Sequence, residues 1–169
     1  GTINEVADKE LIKRFIPDNE SPMEQVGIYG ANYKLGMLMT IFIQMFRYAV
    51  EPFYFSKMYD YDAKTTYAQV MRYFVVFGMF IFLMVTLYID IFKHFIGSEY
   101  HSGLHIVPVI LIANLFLGIN YNLSIWYKLT NLTRYGSYIA LTGAAITIVM
   151  NVFLIPVYGY EASAWATLA

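Results

Sequence analysis

Apolar residues in this chain come in long blocks rather than at the spacing of a soluble core. Residues 70–92 are apolar all round, with Arg72 and Asp90 near the ends, and residues 104–127 and 135–155 form two further blocks. Each is long enough to cross a bilayer as a helix, which takes about 20 predominantly apolar residues. Residues 26–55 predict a longer helix, whose apolar run 35–46 has polar side chains embedded on either side. Residues 1–16 mix charge with Leu11, Ile12, Phe15 and Ile16 and read as a helix end, closed by a polar turn between Pro17 and Pro22. Residues 56–69 are polar and Tyr-rich, a predicted linker in which Asp60 or Asp62 is placed to cap the next helix. Residues 97–103 predict a short connection, and residues 156–160 a turn into a last apolar helix. The pattern predicts an all-α, polytopic transmembrane helix bundle that forms a single membrane domain over residues 1–169.

Composition agrees with the pattern. The chain is 59% hydrophobic and 14% charged, where a soluble domain carries about 25% charged residues. A net charge of −1 gives no strong field for nucleic acid. The absence of cysteine excludes disulfide scaffolds, thiolate metal sites and cysteine nucleophiles. The opening Gly1-Thr2-Ile3-Asn4 has no basic segment or cleavage site of a signal peptide, and residues 162–169 stop inside an apolar helix. Both edges read as cuts, so the expectation is a fragment of a longer protein.

Short connections make successive spans antiparallel, so successive loops alternate sides. Loops 56–72 and 128–134 share one side and carry Lys57, Lys64, Arg72, Lys128 and Arg134, whereas loops 18–25, 93–103 and 156–160 carry Lys93 alone. By the excess of Lys and Arg on cytoplasmic loops, the first side is cytoplasmic, although Lys13 and Arg14 lie near the opposite one.

On a helical wheel, Tyr33, Gly36, Thr40, Gln44, Arg47 and Glu51 fall in one stripe, and Lys34 points roughly 100° away from it. Lys34 and Arg47 are about 20 Å apart along the axis, too close for both to escape a hydrocarbon slab of about 30 Å around a centred helix. An ionisable group at that depth faces a bundle interior or a wet cavity by default. The alternative is a pair between Arg47 and Glu51 one turn apart, with Lys34 snorkelling outward. In the next spans, Asn114, Gly118 and Asn122 recur every fourth residue beside Asn120 and Ser124, and Ala140, Gly143, Ala144, Thr147 and Asn151 share a face. Small residues and amides at that spacing serve close helix packing first and a polar pathway second.

Other candidate chemistry is sparse. His101 and His105 stand four apart near Glu99, but no third ligand appears at a matching spacing. Three glycosylation triplets, at Asn19, Asn122 and Asn131, carry no reliable signal. No nucleotide loop, nucleophile elbow or paired-aspartate metal motif is present. Tyr48, Tyr54, Tyr59, Tyr61, Tyr67, Tyr121 and Tyr127 cluster near span ends, as an interfacial belt does; sugar stacking is the second reading.

The segments Val26-Gly27-Ile28-Tyr29-Gly30-Ala31-Asn32-Tyr33-Lys34-Leu35 and Phe46-Arg47-Tyr48-Ala49-Val50-Glu51-Pro52-Phe53-Tyr54-Phe55 resemble the polysaccharide flippases of the multidrug/oligosaccharidyl-lipid/polysaccharide exporter superfamily. These are O-antigen or lipopolysaccharide biosynthesis transporters. Asn4-Glu5-Val6-Ala7-Asp8 and the stretch from Tyr158 to Thr167 are similar to the family's helix ends. The resemblance implies a fragment of a two-lobed, MATE-like fold, helices seven to the start of twelve in the C-terminal lobe. It implies a multi-pass protein of the bacterial inner membrane, a transporter rather than an enzyme, with residues 56–69 as a cytoplasmic linker. The implied cargo is undecaprenyl-pyrophosphate-linked oligosaccharide, moved by alternating access and coupled to an ion gradient, H+ or Na+, with no other cofactor. Implied partners are membrane lipids, a polysaccharide polymerase and glycosyltransferases. Lys34 and Arg47 are then the candidates to offset pyrophosphate charge, with Gln44, Glu51, Asn114 and Asn122 as further substrate-binding candidates. The rivals are a cation-coupled multidrug exporter, which would use acidic residues within its spans, and a membrane-bound glycosyl- or acyltransferase, for which His101 or His105 is the available acid or base.

Overall fold

In hydrocarbon, every backbone N–H and C=O has to be satisfied within the protein, and an unbroken helix does so within its own segment. The structure, a computed structural model describing Glu10, residues 22–130 and residues 132–168, is all-helical over these residues, with no strand among them. The predicted helix end over residues 1–16, the turn after it, Lys13 and Arg14, and the triplets' Asn19 and Asn131 lie outside the described residues.

Helix α1 runs from Pro22 to Ser56 and α2 from Ala63 to Leu87. A single turn, α3 (Ile89–Phe92), and two 3-10 segments, Lys93–Phe95 and Ser98–Ile106, lead into α4 (Val107–Leu129). Helix α5 spans Arg134–Tyr158 and α6 spans Tyr160–Leu168. Four stretches are long and apolar enough to cross a membrane: Met23–Ser56, Ala63–Leu87, Ser98–Leu129 and Arg134–Ile155.

The boundaries differ from the predicted ones for local reasons. The predicted linker 56–69 is non-helical only over residues 57–62, because the stretch after Asp62 contains no helix breaker and α2 starts at Ala63. Asp62 occupies the N-cap position without a side-chain cap bond, so the predicted carboxylate cap is absent. Asp60 does not supply one either; it accepts a 2.7 Å bond from Lys57, which holds the Lys57 ammonium above its usual range. The predicted connection 97–103 is instead wound into the 3-10 segment that leads directly into α4. Pro108 sits in the first turn of α4, where its missing N–H costs no helical bond. The predicted turn at 156–160 contracts to Gly159, whose φ of 60° and ψ of −140° favour glycine. In the short α3 turn, Lys93 donates to Asp90 at 2.6 Å and lowers that carboxyl from its ordinary value. A lowered folded-state value means this exposed pair contributes at neutral pH and is lost as pH falls.

Two apolar clusters fix the arrangement. Tyr29 and Tyr33 of α1 pack with Ile106, Ile110, Ile155 and the alanines Ala162 and Ala164 of α6. Further along α1, Leu35, Met39 and Ile43 meet Phe74 and Val85 of α2 and Leu111 and Leu115 of α4. Phe74 stacks on Phe42 at 5.4 Å and tilts against Phe46 at 4.8 Å. Gly118 lets the three helices close on one another: a Cβ there would stand 2.5 Å from Phe74 Cζ and 2.9 Å from Ile43 Cγ1. Gly118→Val is therefore expected to cost about 1–3 kcal/mol through overpacking. Thermal unfolding of the full-length protein in detergent should show the loss as a lowered Tm.

Contacts also fix direction. Gly36 meets Ile110, Gly118 meets Ile43 and Glu51 meets Lys128, so α1 and α4 run parallel. Phe74 meets Gly118 and Gly78 meets Leu115, so α2 runs against them. Residues 57–62 thus share one end of the helices with Thr130 and residues 132–133. At the other end, Asn32 donates to the Tyr100 carbonyl at 2.9 Å, and Gln25 lies against Gly159. This is the alternation expected from short connections. Helix α5 departs from expectation: Ala140, Gly143 and Ala144 are exposed, and a Cβ at Gly143 would meet nothing within 4 Å. Its small-residue face packs on no described helix, whereas Asn151, last of that series, is buried and accepts a 3.2 Å bond from Ser163.

Candidate functional site

The parallel course of α1 and α4 brings the stripe on α1 against the Asn114–Gly118–Asn122 face of α4. The result is a polar seam through an otherwise apolar interface. At one end Asn114 Nδ2 reaches the Gly36 carbonyl at 3.5 Å. At the other, Tyr54 Oη donates to Asn122 Oδ1 at 3.2 Å, Asn122 Nδ2 donates to the Gly118 carbonyl at 3.2 Å, and Tyr67 Oη donates to the Tyr54 carbonyl at 2.9 Å. The asparagines serve as ties between helices, as the packing reading expects.

The charged groups sit between these ties. Glu51 accepts a 2.8 Å bond from Lys128 Nζ, with both side chains about one-third exposed. The pairing with Arg47 considered from spacing is thus replaced by one across the interface, and Lys128 is no free loop charge. The Arg47 guanidinium lies 5.5 Å from the ring centres of both Tyr48 and Tyr121, a cation–π arrangement. Its Nε is buried with no hydrogen-bond partner, and it forms no ion pair among the described residues. A small pocket beside it is lined by Glu51, Tyr54, Tyr121 and Asn122. Arg47, Glu51 and Asn122 are therefore brought together, and Asn114 lies further along the same seam.

Two predicted residues stand outside it. Gln44 is exposed. Lys34 is also exposed, on an α1 face that carries Leu38, Ile41, Met45 and Tyr48, and it makes no ion pair among the described residues. Lys128, Tyr121 and Tyr67 belong to the site and were not singled out for these roles from sequence. For Lys128 the signal was present: alternating spans put the far ends of the first and third on one side, aligning Glu51 with a lysine.

No group of three His, Cys, Asp or Glu residues capable of holding a metal occurs among the described residues. His101 Nε2 faces the carbonyls of Lys93 and Ile96, and His105 Nε2 lies 2.9 Å from Glu161 Oε1. They fasten the 3-10 segment to its neighbours.

An all-helical chain with four apolar helices of membrane length, holding a charged seam between two of them, is an α-helical membrane protein. No protein family, curated protein or solved structure matches it.

Proposed function

We propose that this chain is one lobe of a transporter that carries undecaprenyl-pyrophosphate-linked oligosaccharide across the bacterial inner membrane, by alternating access, for cell-surface polysaccharide synthesis. The observation that carries the reading is a pair of cations within the α1 span, Lys34 and Arg47, that form no ion pair with a described carboxylate. A central Lys or Arg costs about 2.5–3.5 kcal/mol on insertion scales, and is tolerated where water or a counter-charge is at hand. A pyrophosphate passing the α1 face would supply that charge. Gln44, exposed on the same helix, is available for sugar hydroxyls. A cation-coupled multidrug exporter is less well served, since the acid embedded in this span, Glu51, is already held by Lys128.

Expression of the full-length protein in a strain lacking its own flippase is expected to restore surface glycan. Drug resistance without glycan display would instead favour the exporter reading. The lysine-bearing end would be cytoplasmic. Single cysteines at Lys64 and Thr133, in a protein otherwise free of reactive cysteine, should resist a membrane-impermeant thiol reagent in intact cells and react once the membrane is opened. Labelling of either in intact cells would reverse the orientation.

A further inference from the structure

At the linker end, between α1, α2 and α4, lies an open cavity of about 1100 Å³. Tyr54 and Tyr67 form part of its wall, their rings meeting edge to face at 4.7 Å. Both phenol hydroxyls are engaged in donating to the protein, so the rings chiefly offer carbon to the space. Met71 of α2 and Leu123 of α4 continue the apolar lining. The rim is polar, with Asp60 and Lys64. Asp60 is neutralised by Lys57 at 2.7 Å, whereas Lys64 is exposed and has no ion pair among the described residues. The uncompensated rim charge is therefore positive, above an apolar throat. Lys64 precedes the apolar block that starts at Val70 by six residues, about 9 Å along the helix. That places the cavity across the depth where headgroups give way to hydrocarbon, the level that tyrosine favours.

We infer that this cavity binds an anionic phospholipid of the surrounding bilayer, its phosphodiester at Lys64 and an acyl chain along Met71 and Leu123. The cation, the apolar throat and the interfacial rings match the three parts of such a lipid in order. Neither Lys34 nor Arg47 lines the cavity, which shares Tyr54 and Asn122 with the polar seam. A single lysine at a membrane surface is worth about 1 kcal/mol toward anionic lipid, about a fivefold change in affinity.

The test is lipid retention by the full-length protein, measured by native mass spectrometry after release from phosphatidylcholine nanodiscs containing a minor share of phosphatidylglycerol. Phosphatidylglycerol should be retained selectively, about fivefold less in Lys64→Gln and almost unchanged in Lys64→Arg. Leu123→Trp, which fills the throat, should lower retention with the charge intact. Arg134→Gln, which removes an exposed cation outside the cavity, should leave retention as it was. Equal retention of both phospholipids would overturn the assignment, as would equal losses in Lys64→Gln and Arg134→Gln. In nanodiscs that also carry an equal share of undecaprenyl phosphate, its retention in preference to phosphatidylglycerol would overturn the assignment too, transferring the cavity to the carrier lipid.

Discussion

Glu51→Ala is expected to destabilise the protein more than Lys128→Ala, although each removes one half of the same 2.8 Å pair. The asymmetry comes from Arg47, one helical turn before Glu51 and in the wall of the same small pocket. When Lys128 is truncated, the guanidinium can turn from its tyrosines to Glu51, and the carboxylate keeps a cation. When Glu51 is truncated, Lys128 and Arg47 are both left facing an apolar interface with no described acid in reach. Leaving a buried hydrogen-bonding group without its partner costs about 1–3 kcal/mol, and the one-third exposure of both side chains lowers that cost. Glu51→Ala should lie within that range, and Lys128→Ala at or below its bottom. The exchanged pair, E51K with K128E, should recover part of the loss, with Arg47 favouring the acid at its new position less well. Thermal unfolding in a single lipid composition reads all four proteins. Equal losses for the two single variants would mean that Arg47 does not share the carboxylate.

Lys34→Ala is expected to abolish glycan display while leaving the protein inserted and folded. Its ammonium lies exposed on an apolar face of α1 and forms no described ion pair, so its removal should leave the fold intact. Under the proposed function its charge is needed only when an anionic cargo passes. Lys34→Arg should retain partial activity, because the charge persists with a different shape and hydration. Arg47 is a less clean test, since Arg47→Ala also removes two aromatic contacts and would lower stability and transport together. Normal display by Lys34→Ala at matched protein levels would mean that the lysine merely snorkels to the membrane boundary.

Much of the fold was legible because membrane helices declare themselves by length. The block 135–155 falls within one helix, 104–127 is helical from a 3-10 start, and 70–92 is helical except for the break at Tyr88. The alternation of short connections gave the relative direction of the first three spans. Ends were less legible, because the apolar pattern stops where the bilayer would, while the backbone keeps coiling. Ala63 to Gln69 continue as helix beyond the apolar block, and Pro156 stays within α5 until Gly159 breaks it. Within the site, spacing identified the stripe on α1 and offered, as one alternative, the neighbour one turn away as the partner of Glu51. The partner chosen lies on α4, at the end where the alternation of spans put a lysine but where spacing along α1 does not look. Helix α5 shows the converse: its small-residue face has the spacing of a packing surface, yet no described helix covers it.

The central claim is movement of a pyrophosphate-linked glycan across a bilayer, and reconstitution tests it most directly. Purified full-length protein in proteoliposomes, given undecaprenyl-pyrophosphate oligosaccharide in one leaflet, should expose the glycan to an enzyme confined to the other side. The expected result is time-dependent exposure with the unaltered protein and only the background of protein-free vesicles with Lys34→Ala. Background exposure by a folded, correctly inserted unaltered protein, supplied with either an H+ or a Na+ gradient, would contradict the account.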